Sequence, residues 1–335
     1  MIVRDVVLRT KQEYLIRYED GNLYCELADI WIDPSKPVKR ALITHAHFDH
    51  FTFGCEEYIS TNETAILLKE RVGDNIKIKT FEYGEEFKIN GIKISFHPSG
   101  HILGSSQIRF IFAEEKWLIS GDYKLQKDET CKQYEIVKTD YLISECTFGL
   151  PIFKWDETDK IANDISKWIT NSPEKTSLLF CYSLGKAQRL LNEISKTNFK
   201  GNIYSHSSIH KINNCYKQIG IDINETIKIE NKKEIDELKG NLILLPPSLS
   251  KGSYLNNFKN IQTAFASGWM SIRALRKRSG YDKGFAISDH ADWDGILEVV
   301  KNSETKNVFF HHGDSEALSK YLSEKKSVNV LYFEK

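Results

Sequence analysis

His45, His47, Asp49 and His50 fall within six residues in the run Arg40-Ala-Leu-Ile-Thr-His-Ala-His-Phe-Asp-His50. Imidazole and carboxylate together suit zinc, and four such groups are more than one open catalytic site needs. Residues two apart on a strand share a side, so His45 and His47 can face one metal, and a bend after them can turn Asp49 and His50 toward a second. Three further residues carry the same chemistry. His101 sits in Ser99-Gly-His-Ile-Leu-Gly-Ser105, Asp122 in Ser120-Gly-Asp-Tyr123 and His312 in Phe310-His-His-Gly-Asp314. A glycine beside Asp122 lets the backbone come close to a ligand. The chemistry such a set supports is metal-assisted hydrolysis.

These residues need strand ends to hold them. Up to residue 150 the chain reads mostly as short strands: Tyr14–Tyr18, Ile30–Ile32, Arg40–Thr44, Ile92–His97, Ser106–Phe112, Lys116–Ser120 and Tyr141–Ser144. Alternation of apolar and polar positions, as in Ile92-Lys-Ile-Ser-Phe96, favours half-buried strands. After Pro151 the texture changes. Ile161, Ile165, Trp168 and Ile169 recur at helical spacing behind a capping region at Asp156 and Thr158. Strands at Ser177–Tyr182, Asn202–Ser205, Asn241–Leu245 and Thr263–Ala266 alternate with helices, the sign of a small doubly wound α/β layer. From Gly284 the expectation is strand Phe285–Ser288, helix Trp293–Lys301, strand Asn307–Phe310, a helix, and strand Val328–Phe333. The fold class is therefore α/β, with pieces at 1–150, 151–280 and 281–335, the last too short to bury a core alone.

The chain has 335 residues, 41% hydrophobic and 27% charged, with 46 basic residues against 46 acidic ones. The balance removes a strongly basic chain as a nucleic-acid signature and leaves room for a local basic patch. The N-terminal run Met1-Ile-Val-Arg-Asp-Val-Val-Leu-Arg9 has no apolar signal core, and no apolar run reaches the ~18 residues of a membrane span. A soluble, cytoplasmic protein is expected. Its six scattered cysteines form no CxxC pair and read as free thiols.

The His45-Ala-His-Phe-Asp-His50 run resembles the HxHxDH motif of the metallo-β-lactamase superfamily. The resemblance implies an αββα sandwich with two zinc ions, manganese being an alternative activating metal. It assigns His45, His47 and His101 to one ion and Asp49, His50 and His312 to the other, with Asp122 bridging. His312 is preferred to His311 because His-Gly-Asp matches the family's His-Gly-Glu-type turn. Asp33, in Trp31-Ile-Asp-Pro34, matches an aspartate that braces the metal loop.

Ser144-Glu-Cys-Thr-Phe-Gly149, Ser288-Asp-His-Ala-Asp292 and the His312 turn resemble motifs of the β-CASP nuclease branch, which makes residues 151–280 an inserted cap. Leu184-Gly-Lys-Ala-Gln-Arg-Leu-Leu191 is similar to the cap helix of pre-mRNA 3′-end processing nucleases. Gly100–Gln107, Ser120–Gln126, Thr147–Pro151 and Ala264–Met270 resemble bacterial DNA-ligase-associated exonucleases. That similarity implies DNA as substrate, a repair exonuclease, and a DNA ligase and a helicase in the same pathway. His290 is the candidate general acid for the leaving oxygen, oriented by Glu145, with Asp49 completing the catalytic set. Arg273, Arg276, Lys277 and Arg278 are candidate phosphate contacts, as is the helix start at Gly185 and Lys186. Trp155, Trp269 and Tyr281 are more readily core than base-stacking residues. An RNA-processing enzyme of the same branch is the alternative. A small-molecule hydrolase fits less well, since a small ester needs neither cap nor leaving-group acid.

Overall fold

The computed structural model describes residues 14–229, 238–251 and 253–333. Most of the charged N-terminal stretch read above lies outside the described residues. The first sheet comprises β1 (Arg17–Glu19), β2 (Asn22–Cys25), β3 (Ile30–Ile32), β4 (Arg40–Leu42), β5 (Glu57–Thr61) and β6 (Ile78–Phe81), paired in chain order, with α1 (Asn62–Val72) after β5. A second sheet begins with β7 (Phe87–Ile89), β8 (Ile92–Pro98), β9 (Ser106–Phe112), β10 (Glu115–Ile119) and β11 (Tyr141–Cys146).

The chain then builds a third sheet. Its elements are α2 (Thr158–Thr170), β12 (Thr176–Phe180), α3 (Lys186–Ser195), β13 (Ile203–Ser205), α4 (Ser207–Gln218), β14 (Ile227–Lys228), β15 (Leu242–Leu245), β16 (Ile261–Ala266), α5 (Arg273–Arg278) and β17 (Lys283–Phe285). Its strands run parallel in the order β14-β13-β15-β12-β16-β17. Finally α6 (Trp293–Asn302), β18 (Asn307–Gly313), α7 (Glu316–Lys325) and β19 (Asn329–Leu331) follow; β18 pairs back onto β11 and β19 onto β18, completing the second sheet.

Strand periodicity explains the packing. Leu42, Trp117, Ile119, Ile143 and Phe309 join one core formed by the first and second sheets. Their neighbours face away: Ala41 and Ile43 pack with Leu67, Leu68 and Tyr216 of α1 and α4, while Leu118, Leu142 and Val308 pack with Ile296, Val299 and Leu318 of α6 and α7. A period of two thus sorts each strand into an inward and an outward set. The third sheet follows the same rule, with Leu179 and Cys181 against α2 and α3 and Leu178 and Phe180 on the other side.

Several expectations shift. The strand expected over Phe285–Ser288 pairs only at Lys283–Phe285, beside β16, so the third sheet reaches past residue 280. Ile287 is buried, but Asp289 turns out of strand geometry to meet buried cations, leaving His290 on a loop. Neither Asp156 nor Thr158 caps α2, whose N-cap is Glu157 with no side-chain hydrogen bond. Helix α1 went unread because Ile66, Leu67 and Leu68 run together without helical spacing; Thr61 caps it, its hydroxyl accepting from Thr64 N–H at 3.3 Å. All six cysteines are unpaired. Among the described residues no helix is long and apolar enough to cross a membrane.

The loop carrying His101 is anchored to α1 through Gly104, whose carbonyl accepts from the Thr61 and Thr64 hydroxyls at 2.7 and 2.8 Å. Gly104 has φ +77°, and a Cβ there would lie 2.5 Å from Thr64 N. Gly104→Ala should therefore cost about 2 kcal/mol or more, combining left-handed strain with a backbone clash. Urea unfolding checks it; a loss below ~0.5 kcal/mol would contradict this packing.

Candidate metal and acid–base centre

The centre begins at the end of β4. Beyond Leu42 the chain passes His45 and His47 and enters a tight 3-10 turn over Phe48–His50. Asp33 holds this segment in place. Its carboxylate accepts from Thr44 N–H at 2.8 Å, from the Thr44 hydroxyl at 2.5 Å and from His50 Nδ1 at 2.7 Å. Asp33 itself has φ 44°, a strained backbone that these bonds stabilise. It thus sits where the brace was expected.

Hydrogen-bond accounting then sets the tautomers. The Thr44 hydroxyl gives its one proton to Asp33, so at 3.0 Å it accepts from His45 Nδ1–H. His101 Nδ1–H donates to the Asp289 carbonyl at 2.6 Å, and His47 Nε2–H to the Leu184 carbonyl at 3.1 Å. The inward nitrogens, His45 Nε2, His47 Nδ1 and His101 Nε2, are left as lone pairs. Even so, His47 Nδ1 lies 3.1 Å from each of the other two. Burial keeps these rings neutral: it lowers His47 to about 4, and it pushes His45 and His101 well below the ordinary histidine range.

The donor set fits a metal. Asp122 Oδ2 is 3.6 Å from His45 Nε2, 3.6 Å from His101 Nε2 and 3.5 Å from His50 Nε2. Donors ~2.0–2.2 Å from a tetrahedral zinc stand about 3.3–3.6 Å apart, matching these separations. Burial disfavours the Asp122 carboxylate, yet the His50 and His290 imidazoles outweigh it and hold the carboxyl well below its usual range. Gly121 permits the approach: with φ +54°, a Cβ there would meet Thr44 Cβ at 2.9 Å.

Asp49 and His312 stand on the open side. Asp49 Oδ2 is 4.0 Å from His50 Nε2 with its side chain 80% exposed, and the His312 ring lies 5.4 Å from the His50 ring. His311 points elsewhere, its Nδ1 bonded to the Tyr18 hydroxyl at 2.8 Å. A bulge between Glu145 and Cys146 accompanies this change of direction along β18, where His312 has φ 54°.

Glu145, at the end of β11, is buried and accepts from Tyr123 N–H at 3.0 Å and from His290 Nδ1 at 2.9 Å. Burial opposes charging His290, but Glu145 and then Asp122 overcome it and raise the ring to about 9. His290 therefore holds a proton beside the cleft, 3.8 Å from Asp122 Oδ2. Glu145, His290 and Asp122 also cluster closely enough to be a second metal-binding set.

The expected phosphate contacts fare differently. Lys186 is buried and its ammonium pairs with Asp289 at 2.9 Å, so it is not available to a strand. The Gly185 N–H donates to Gln188 Oε1 at 2.8 Å, which occupies the helix start too. Arg273, Arg276, Lys277 and Arg278 are exposed on α5 and do not line the cleft. Trp155 is tied to the His290 carbonyl at 2.9 Å, and Tyr281 packs on Phe180 and Phe265. Sequence reasoning missed Asp289, flagged only by its place beside His290, and Arg71, which carries no sequence signal.

No family model matches the chain. It is 27% identical over 314 residues, 92% of its length, to a probable DNA ligase of Opitutus terrae. It is 24% identical over 83% of its length to "RNase aCSPSF2" of Saccharolobus solfataricus, and 27% identical over 45% to cleavage and polyadenylation specificity factor 73 of Drosophila melanogaster. The chain is a relative of the β-CASP nucleases of the metallo-β-lactamase superfamily. The matched region covers only 30% of the ligase relative, 70% of the RNase and 23% of the factor 73 relative. A solved structure from Enterococcus faecalis, of a protein of unknown function, shares the fold with a TM-score of 0.63 at 12% identity, over 88% of this chain and 79% of that one.

In this chain the third sheet reaches into the candidate metal site. Leu184 and Asp289 supply the carbonyls that orient His47 and His101, and Asp289 is held by Lys186 and by Arg189 at 3.2 Å. Arg189, fully buried, also donates to the Ser288 carbonyl at 2.7 Å. Arg189→Leu should thus destabilise by ~3–5 kcal/mol, because a buried carboxylate loses a partner. Denaturant titration measures this. Arg189→Lys should recover part of the loss, and equal stability of all three proteins would contradict the role.

Proposed function

We propose that the chain is a dinuclear zinc nuclease that hydrolyses DNA phosphodiester bonds, acting as an exonuclease in repair, with manganese as an alternative activating metal. One observation carries the reading. Three neutral imidazoles aim proton-free nitrogens toward one point beside the Asp122 carboxylate, His47 Nδ1 lying 3.1 Å from each of the other two. Lone pairs this close repel one another, and a cation between them turns that repulsion into coordination. His45, His47, His101 and Asp122 would hold one ion, and His50, Asp49, His312 and Asp122 the other. In this reading 1–150 and the part of 281–335 beyond β17 form the metallo-β-lactamase sandwich, and 151–280 with β17 the cap.

Two such ions, when bound, supply an activated water and a clamp on the phosphate oxygens. The chain's own residues do the rest. His290, charged and oriented by Glu145, donates a proton to the departing oxygen. Asp33 fixes the ring of His50, while the Leu184 and Asp289 carbonyls fix those of His47 and His101, so the ligands are arranged before substrate arrives. The ligase relative, which matches 92% of this chain, supports DNA and a ligase of the same cytoplasmic pathway, in which a helicase is also expected. Relatives named as an RNase and as endoribonucleases favour a second reading, RNA as substrate.

Elemental analysis should find close to two metal equivalents per chain, and Asp49→Ala/His50→Ala should remove mainly one. Content near zero in metal-replete preparations would refute the dinuclear reading. His290→Ala should keep both equivalents yet slow cleavage by roughly 10²–10⁴-fold. The defect should shrink on a nitrophenyl phosphodiester, whose leaving oxygen departs without a proton. Loss of metal in His290→Ala would make it a ligand, as its grouping with Asp122 and Glu145 allows. Equal rate losses on both substrates would remove the acid role.

A further inference from the structure

Large apolar side chains on the surface are ordinary when they stand alone. Here three aromatic ones gather at a single opening. Phe48 is 54% exposed, Tyr182 54% and Trp269 42%, and all three line the cleft that holds His47, Asp122 and His290. They come from distant parts of the chain: the 3-10 turn at Phe48–His50, the loop just after β12 and the 3-10 turn at Gly268–Ser271. The cleft measures about 420 Å³. That lies within the ~300–1,000 Å³ of small-ligand sites, room for one or two nucleotides.

Charge at the same opening agrees. Arg71 lines the cleft with its guanidinium 3.8 Å from the Phe48 ring centre, and one of its N–H groups donates to the Ala46 carbonyl. Among the described residues no carboxylate forms an ion pair with it, whereas Lys186, the other cation of the lining, is paired with Asp289. Trp269 continues inward through Phe148, with ring centres 4.9 Å apart, and Phe148 in turn meets the His290 ring edge-on at 5.9 Å. Trp269 thus leads through Phe148 toward the acid.

We infer that Phe48, Tyr182 and Trp269, with Arg71, form a stacking subsite for unpaired bases flanking the scissile phosphate, so that the protein acts on single strands. The inference rests on the nuclease reading above and specifies its substrate. Every base offers a π-face, so the subsite selects for strandedness and not for sequence. Arg71 takes the phosphate next to the stacked base.

The test compares kcat/KM of the metal-loaded enzyme on three DNAs of equal length: a single strand, the same strand with abasic sites, and a blunt duplex. The base-bearing single strand should be preferred by about tenfold or more over each of the others. Tyr182→Leu and Trp269→Leu should each erode that preference several-fold, whereas Tyr182→Phe and Trp269→Phe should retain most of it. A merely structural role would not separate Phe from Leu by the presence of bases. Arg71→Ala should weaken base-bearing and abasic strands alike and lessen the log–log salt slope by about 0.7, as for one phosphate contact on a single strand. Equal handling of base-bearing and abasic strands, or of single strand and duplex, would overturn the subsite and leave the nuclease reading standing. Absence of cleavage on every nucleic acid would overturn both.

Discussion

A buried carboxylate is among the most costly groups a fold can contain unless partners balance it, and Asp122 is a buried carboxylate. The centre is arranged around that constraint. His45, His50, His101 and His290 each bring a ring nitrogen within 3.8 Å of its Oδ2. They arrive from different segments: the strand end after β4, the turn beyond it, the loop before β9 and the loop before α6. Each approach needs backbone room, which explains Gly121 against Thr44 and Gly104 against Thr64.

The rings around Asp122 divide by what lies on their outer side. Carbonyls and a hydroxyl hold His45, His47 and His101, acceptors with little charge, and burial keeps those rings neutral. Carboxylates hold His50 and His290, and both rings are raised above the ordinary histidine range despite burial. One residue type thus yields rings of unlike proton affinity within a single cluster, through the partner on the far nitrogen. Both His50 and His290 line the cleft, and His290 is the more exposed of the two, its side chain 24% exposed against 4% for His50, which suits it to proton donation.

Two of those outer acceptors tie the third sheet to the centre. Leu184 lies just before α3 and Asp289 just after β17, and the buried Asp289–Lys186–Arg189 group locks them together. Gly185 makes the contact close, since a Cβ there would lie 2.2 Å from Ile102 in the loop that carries His101. The sheet that forms one wall of the cleft is also part of what orients two of its histidines. A disturbance of that wall would reach His47 and His101 before it reached the sandwiching cores.

Much of this was legible in residue order. The run from His45 to His50, His101 between glycines and Asp122 after glycine are local patterns, because a strand end and a tight turn are determined within a few residues. Alternation likewise located most strands. Helix α1 was not legible, since its apolar residues follow one another without helical spacing. The shortened strand at Lys283–Phe285 was not either, because it ends where Asp289 turns toward partners a hundred residues away. Lys186 illustrates the general limit. As a lysine at a helix start it reads as a phosphate ligand, and only the fold places Asp289 within 2.9 Å of it. Residue type and near-neighbour spacing determined which groups could bind metal or move a proton. Which nitrogen of each ring faces inward, which cations remain unpaired and which aromatic rings border the cleft were decided by tertiary structure, because burial and charge pairing depend on segments that meet only once the sheets have packed.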